Sequence, residues 1–209
     1  MRTPVTPGLQ RRRASQWLRP GRYHKVGERE LLMMGAKATA SCGLAVVHHK
    51  EDLRFALREA RRAERAAKDA GRDALQITIC RRSGEHTSVF CPWNFVPTLQ
   101  RWIKAFLGRP KASDRWAYRL WADRETLAAL PLDAMRAELV RKVERSDEST
   151  KAKLRAGNSN SAGEVLREDF DRYLSQLVCP PRNLTGKQAA ENFILLCQTA
   201  SFLARGRAE

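Results

Sequence analysis

The sequence predicts an α+β protein in which a β-α-β-β unit is followed by an α-helical bundle. Three observations predict it. A near-continuous apolar run from Ala40 to His48 ends in β-branched residues, as expected of a buried strand. A long charged segment then repeats alanine and leucine at helical spacing, stops at Gly71, and gives way to an alternating apolar run. After Pro92 the apolar residues return every three or four positions in segments separated by short polar breaks, the pattern of packed helices.

Residues 1–30 differ from the rest. They hold eight Arg and Lys (Arg2, Arg11, Arg12, Arg13, Arg19, Arg22, Lys25, Arg29) against two acids (Glu28, Glu30), a balance of 8 − 2 = +6. Prolines and glycines interrupt them and no apolar period is visible, so a basic disordered arm is expected, either a solvated tail or one that binds RNA. Residues 31–95 carry the β-α-β-β pattern. From Glu51 to Ala70, the residues Leu53, Ala56, Leu57, Ala60, Ala63 and Ala67 fall on one helical stripe. That stripe is alanine-rich and predicts close approach to a sheet. Leu75, Ile77 and Ile79 alternate with Gln76, Thr78 and Cys80 as a half-exposed strand, and Ser83-Gly84 turns the chain into a returning strand from Thr87 to Cys91.

Residues 96–209 read as helical. Phe95 to Leu107 is one segment, closed by Gly108 and Pro110, and Ser113 caps a second that carries Trp116, Tyr118, Leu120 and Trp121. Leu132, Met135, Leu139 and Val143 mark a third. Residues 146–163 are Ser-, Asn- and Gly-rich and predict a mobile loop. Leu166, Phe170, Tyr173, Leu174 and Leu177 form another amphipathic face, stopped by Pro180-Pro181. A last helix from about Thr185 presents Phe193, Leu196, Ala200 and Leu203. No repeat at 20–50 residues is evident.

A chain of 209 residues suits one mid-sized domain or two small ones. Its 39 Lys and Arg against 23 Asp and Glu leave a net charge of +16, which favours a polyanionic partner, nucleic acid before a membrane surface. The five cysteines, Cys42, Cys80, Cys91, Cys179 and Cys197, are odd in number and contain no CxxC, so they read as reduced, packed thiols of a cytoplasmic protein. No segment approaches the roughly 18 apolar residues that cross a bilayer. No apolar stretch follows the first arginines, so no secretory signal is expected.

His48 and His49 point to opposite faces if the strand runs through them, which disfavours a shared metal; a locally hydrogen-bonded pair is the plainer reading. The sequence has no Walker-type glycine loop, GxSxG, HExxH or Asp-Asp pair. No catalytic or metal-ligating residue is therefore assigned, and the chain is a poor candidate for a self-sufficient enzyme. Lys68 lies in the last turn of the charged helix, with Arg72 just beyond the cap. The two can present cations to a triphosphate or merely offset the helix dipole. On the strand before that helix, Gly43 permits close approach by a ligand or another backbone, and Ser41 supplies a hydroxyl.

The stretch from Ala38 to Glu85 resembles the second palm domain of the large signature subunit of type III-B (Cmr) CRISPR effector complexes. The likeness rests on Ala38 to Gly43, His48, Lys50, Leu53, Ala67-Lys68, Gly71-Arg72, Ala74-Leu75 and Arg82-Ser83-Gly84-Glu85, which match that family's short motifs in order and approximate spacing. The segment SDRWAYRLWADRETLAAL, residues 113–130, is more loosely similar to the start of the family's C-terminal helical domain.

The resemblance implies a partial ferredoxin-like fold of the cyclase and polymerase palm type. It implies ATP as the nucleotide, with Ser41, Gly43, Lys68 and Arg72 as nucleotide-binding residues. It also implies other effector subunits as partners, with guide and target RNA reached through them. The intact family makes cyclic oligoadenylates from ATP when target RNA binds. This chain departs from it: the Gly-Gly-Asp-Asp metal-binding hairpin and the His-Asp nuclease motif are absent from the sequence, Asp52 stands where proline is usual, and Asp73 replaces the common asparagine. A truncated or frameshifted subunit, inactive alone, is the resulting expectation. A free-standing basic adaptor for RNA or protein is the alternative, and a cyclase completed by a second polypeptide is a third.

Overall fold

The structure, a computed structural model, describes residues 38–108, 112–155, 157–179, 182 and 184–205, and the strands Tyr23–Val26 and Arg29–Leu32. The chain divides into two units, Met1–Ala40 and Ser41–Glu209. In the first, β1 (Tyr23–Val26) and β2 (Arg29–Leu32) pair antiparallel, with Tyr23 opposite Leu32 and Val26 opposite Arg29. This corrects the expectation of an unstructured arm through residue 30. Ladder hydrogen bonds need no apolar period in the side chains, and only two residues, one of them Gly27, separate the strands in sequence. The rest of the expected arm lies outside the described residues.

The second unit opens with β3 (Ser41–Val46), α1 (Leu53–Asp69), β4 (Ala74–Cys80) and β5 (His86–Pro92), in the sheet order β3-β4-β5. β3 runs parallel to β4, with Ser41 opposite Ala74. β4 runs antiparallel to β5, with Ala74 opposite Pro92 and Cys80 opposite His86. The hairpin turn depends on Gly84 at φ 84°, which closes the Gly84 N–H to Arg81 carbonyl bond at 3.0 Å.

Asp52 starts α1 by accepting the Arg54 N–H at 3.0 Å. Gly71, at φ 97°, ends it, and the Arg72 N–H reaches back to the Ala67 carbonyl at 3.0 Å. Ala63 and Ala67 are buried against the sheet as the alanine stripe predicts. Leu53 and Leu57 are not: they stand 79% and 48% exposed. β3 is the edge of a sheet three strands wide, so only the alanine side of the stripe finds a surface to cover.

The helical part consists of a 3-10 turn (Trp93–Phe95), α2 (Val96–Leu107), α3 (Arg115–Ala122), α4 (Arg124–Ala129), α5 (Leu132–Glu144), α6 (Glu148–Arg155), α7 (Ala162–Val178) and α8 (Gly186–Arg205). α6 occupies the stretch expected to be a mobile loop. Asp147 accepts both the N–H and the hydroxyl of Thr150, at 3.1 and 2.7 Å, and Thr150 and Leu154 are buried. A cap and two inward residues outweigh the polar composition. α7 starts where Ser161 accepts the Glu164 N–H at 3.2 Å and Glu144 accepts the Gly163 N–H at 2.7 Å. α8 buries residues on all sides, among them Ala189, Phe193, Ile194, Leu196, Cys197, Ala200 and Ala204, so it is the central helix rather than a one-faced surface helix.

Phe193 of α8 packs edge-on to Trp102, Phe170 and Phe95, with centroids 5.5, 5.0 and 6.4 Å away. Asp169 is buried beside this cluster. It accepts the Trp102 Nε1–H at 3.2 Å, Arg172 at 2.6 Å, and Arg101. Burial pushes its carboxyl above the usual range, against the pull of Arg101 and Arg172. Ile77, Ile79, Val89 and Cys91 of the sheet belong to the same continuous core as these helices. The division expected between residues 95 and 96 therefore separates two kinds of secondary structure, not two cores. A three-stranded sheet is too small to bury its own face. Among the described residues no helix is long and apolar enough to cross a membrane.

Candidate functional site

The four residues singled out from sequence gather at one end of the β-α-β-β unit and meet different fates. Ser41 begins the edge strand β3, half-buried and in register with Ala74. Gly43 is covered: a Cβ built on it would lie 2.2 Å from the Glu64 nitrogen and 2.3 Å from the Ala60 carbonyl oxygen. Its missing side chain admits the backbone of α1, the close approach by another backbone that the sequence allowed. Lys68 is exposed and pairs with Glu64 at 2.7 Å, one helical turn back. That ion pair holds the Glu64 carboxyl below its ordinary range. The cleft beside Lys68 is lined by Arg61, Glu64 and Arg65, not by Ser41, Gly43 or Arg72.

Arg72 adopts φ 62° and Asp73 φ 50°, so three successive residues from Gly71 are left-handed. Arg182, in the connection between α7 and α8, donates to both the Arg72 and Asp73 carbonyls, at 3.0 and 3.1 Å. It donates also to the Gln176 carbonyl at 3.1 Å and lies 5.3 Å over the Phe90 ring. The turn that was expected to face a triphosphate is thus latched from the helical side through its backbone. The Arg72 side chain itself remains exposed.

β3 ends at Val46, before the histidines, so their rings do not take opposite faces; they lie 4.3 Å apart. The His48 Nδ1 accepts the Lys50 N–H at 3.3 Å, the local bonding that the plainer reading anticipated.

Two arrangements escaped the sequence reading. The first is on the outer face of α1. Arg54, Arg58, Arg61, Arg62 and Arg65 are all exposed and, with Leu57, line one open cleft of about 550 Å³. Their counter-charge is slight: Glu59 approaches Arg58 and Arg62 only to 3.9 and 3.8 Å. Guanidinium forks on one face create a local positive field and donate bidentately to phosphate oxygens. The signal was legible, since positions 54, 58, 61 and 65 share one helical face.

The second lies between α1 and the β4–β5 hairpin. Glu59, Cys80 and His86 bring one ligand atom each to within 4.8 Å of one another. Glu59 and Cys80 are buried, and His86 is exposed at the rim. Burial, then the Glu59 carboxylate, pushes the Cys80 thiol up. Beside them the Thr78 and Ser88 hydroxyls are 3.0 Å apart, and a cleft of about 240 Å³ opens between helix and sheet. Only the cross-strand register, which sets Cys80 opposite His86, would have pointed to this cluster.

Comparison with protein-family models gives no match, and comparison with curated proteins gives none.

Proposed function

We propose that this chain is an RNA-associated subunit of a type III CRISPR effector of the kind it resembles, without nucleotidyl transfer of its own, and that it acts in the cytoplasm. The observation that carries the reading is the arginine face of α1, five exposed guanidiniums over an open cleft in a chain of net charge +16. That helix lies inside the stretch that resembles the family's palm. Effector subunits and guide RNA are the partners proposed, with the arginine face against the phosphate backbone.

The β-α-β-β order supports a partial ferredoxin-like palm. A complete split unit carries an antiparallel strand between the two strands that flank its crossover helix. Here β3 and β4 pair directly, so the likeness extends to part of that topology. ATP remains the nucleotide proposed by resemblance, with Ser41, Gly43, Lys68 and Arg72 as the residues proposed for its site.

Single-stranded RNA titrated at several salt concentrations tests the arginine face. Affinity should fall steeply with salt, and a triple change of Arg58, Arg61 and Arg65 to Glu should lower the log–log slope by about 2, at roughly 0.7 for each phosphate no longer neutralised. Salt-independent binding, or a slope the triple variant leaves unchanged, would count against it. Purification from the native host separates the effector subunit from the free-standing adaptor: the first brings guide RNA and other effector subunits, the second comes alone. ATP with a divalent metal should yield no cyclic product from the purified chain, and robust synthesis would sink the non-catalytic reading.

A further inference from the structure

We infer that Glu59, Cys80 and His86 form a binding site for a transition-metal dication of the zinc class, pinning α1 to the β4–β5 hairpin. Three atoms mutually within 4.8 Å share a point no more than about 2.8 Å from each, close to the roughly 2.0–2.3 Å bonds that zinc forms with imidazole, carboxylate and thiolate. Rotation of the exposed His86 ring and a small shift of Glu59 close the difference. The donor set is one sulfur, one nitrogen and one carboxylate oxygen. This selects zinc and its neighbours over magnesium or calcium, which take oxygen ligands.

The surroundings favour a cation. Glu59 is 7% exposed, yet among the described residues no hydrogen bond reaches its carboxylate, and its nearest cations are Arg62 at 3.8 Å and Arg58 at 3.9 Å. A thiolate at Cys80 against this buried carboxylate is unfavourable unless a positive charge lies between them. On binding, Cys80 gives its proton to solvent and the sulfur lone pair forms the bond to the metal, with no change of oxidation state.

The three residues come from three elements, α1, β4 and β5, that pack together. The turn at Gly84 sets the register that faces Cys80 and His86 across the hairpin, and Phe55 of α1 packs edge-on to the His86 ring with centroids 6.1 Å apart. Three protein ligands leave a fourth position, which opens on the cleft lined by Gln76, Thr78 and Ser88 and takes water there. This dication is separate from any metal that accompanies a nucleotide, since its ligands include a soft thiolate and none of them is among the four residues matched to the palm's nucleotide site.

Cobalt(II) titrated into the full-length reduced protein tests the site. One equivalent should bind and produce a thiolate-to-cobalt charge-transfer band, which zinc then abolishes by displacement. Cys80→Ser should remove the band, although the exposed Cys42 and Cys179 remain. His86→Ala, an exposed change that leaves the core intact, should weaken binding by at least the roughly tenfold that follows loss of a mere supporting residue. Glu59→Gln should do the same. No charge-transfer band in the folded protein, or a band of equal affinity in Cys80→Ser and His86→Ala, overturns the inference.

Discussion

The side-chain amide of Asn192 completes the backbone hydrogen bonding of Phe90. Its Oδ1 accepts the Phe90 N–H at 3.1 Å and its Nδ2 donates to the Phe90 carbonyl at 2.8 Å, across 102 positions of sequence. The Tyr173 hydroxyl donates to the same carbonyl at 2.6 Å. An amide on the central helix thereby does for β5 what another strand would do, and blunts an edge that otherwise invites pairing with a second chain.

Asn192→Leu should therefore destabilise the fold by about 1–3 kcal/mol, the cost of a buried N–H left unpaired. The carbonyl keeps Tyr173, so the N–H carries the loss. Urea unfolding measures it, and light scattering should show a greater tendency to associate. Unchanged stability would mean that the amide only decorates the edge.

Gly43→Ala should cost about 1–3 kcal/mol through overpacking, because the new methyl meets the backbone of α1, which cannot rotate away. Ser41→Ala, at a half-buried edge position, should stay within about 0.5 kcal/mol. Paired thermal melts would reverse this assignment if Gly43→Ala were neutral.

Arg182→Lys should loosen the turn at Arg72-Asp73 almost as much as Arg182→Ala. A single ammonium cannot reproduce a fork whose Nη2 serves the Arg72 and Asp73 carbonyls while its Nη1 reaches the Gln176 carbonyl and the group lies over Phe90. A loss of about 1–3 kcal/mol is expected. Amide exchange should quicken at residues 71–75 in both variants, and full protection in Arg182→Lys would contradict the latch.

Acid should weaken the start of α7. The Gly163 N–H holds the Glu144 carboxyl below its ordinary value of 4.5, with further help from Ser161. A carboxylate whose folded pKa is depressed adds stability that is fully present above its unfolded pKa and is lost as pH falls through the folded one. Stability should thus decline below about pH 4.5, and Glu144→Gln, which keeps an acceptor oxygen, should flatten that decline. Asp114 acts in the same sense: against its burial, hydrogen bonds from Ser201 and Arg205 keep it low. Chemical unfolding from about pH 3 to 7 in wild type and Glu144→Gln compares the slopes, and parallel curves would remove Glu144 from the account.

By itself the sequence determined the succession of elements from β3 through β5 and the main helices that follow. The alanine stripe, the Gly71 cap, the alternation from Leu75 to Ile79 and the helical spacing after Pro92 each reflect where side chains leave a local backbone, and a few neighbouring residues suffice to read that direction. The arginine face of α1 was legible on the same terms. α6 was not, because its polar residues hide a helix that depends on Asp147 as a cap and on somewhere to bury Thr150 and Leu154. Tertiary structure alone decided that Gly43 admits the backbone of α1, that Leu53 overhangs a narrow sheet, that Arg182 holds the turn at Arg72, and that Glu59 meets Cys80 and His86. Each of these depends on which surfaces pack together, and packing joins residues whose separation along the chain carries no periodic signal.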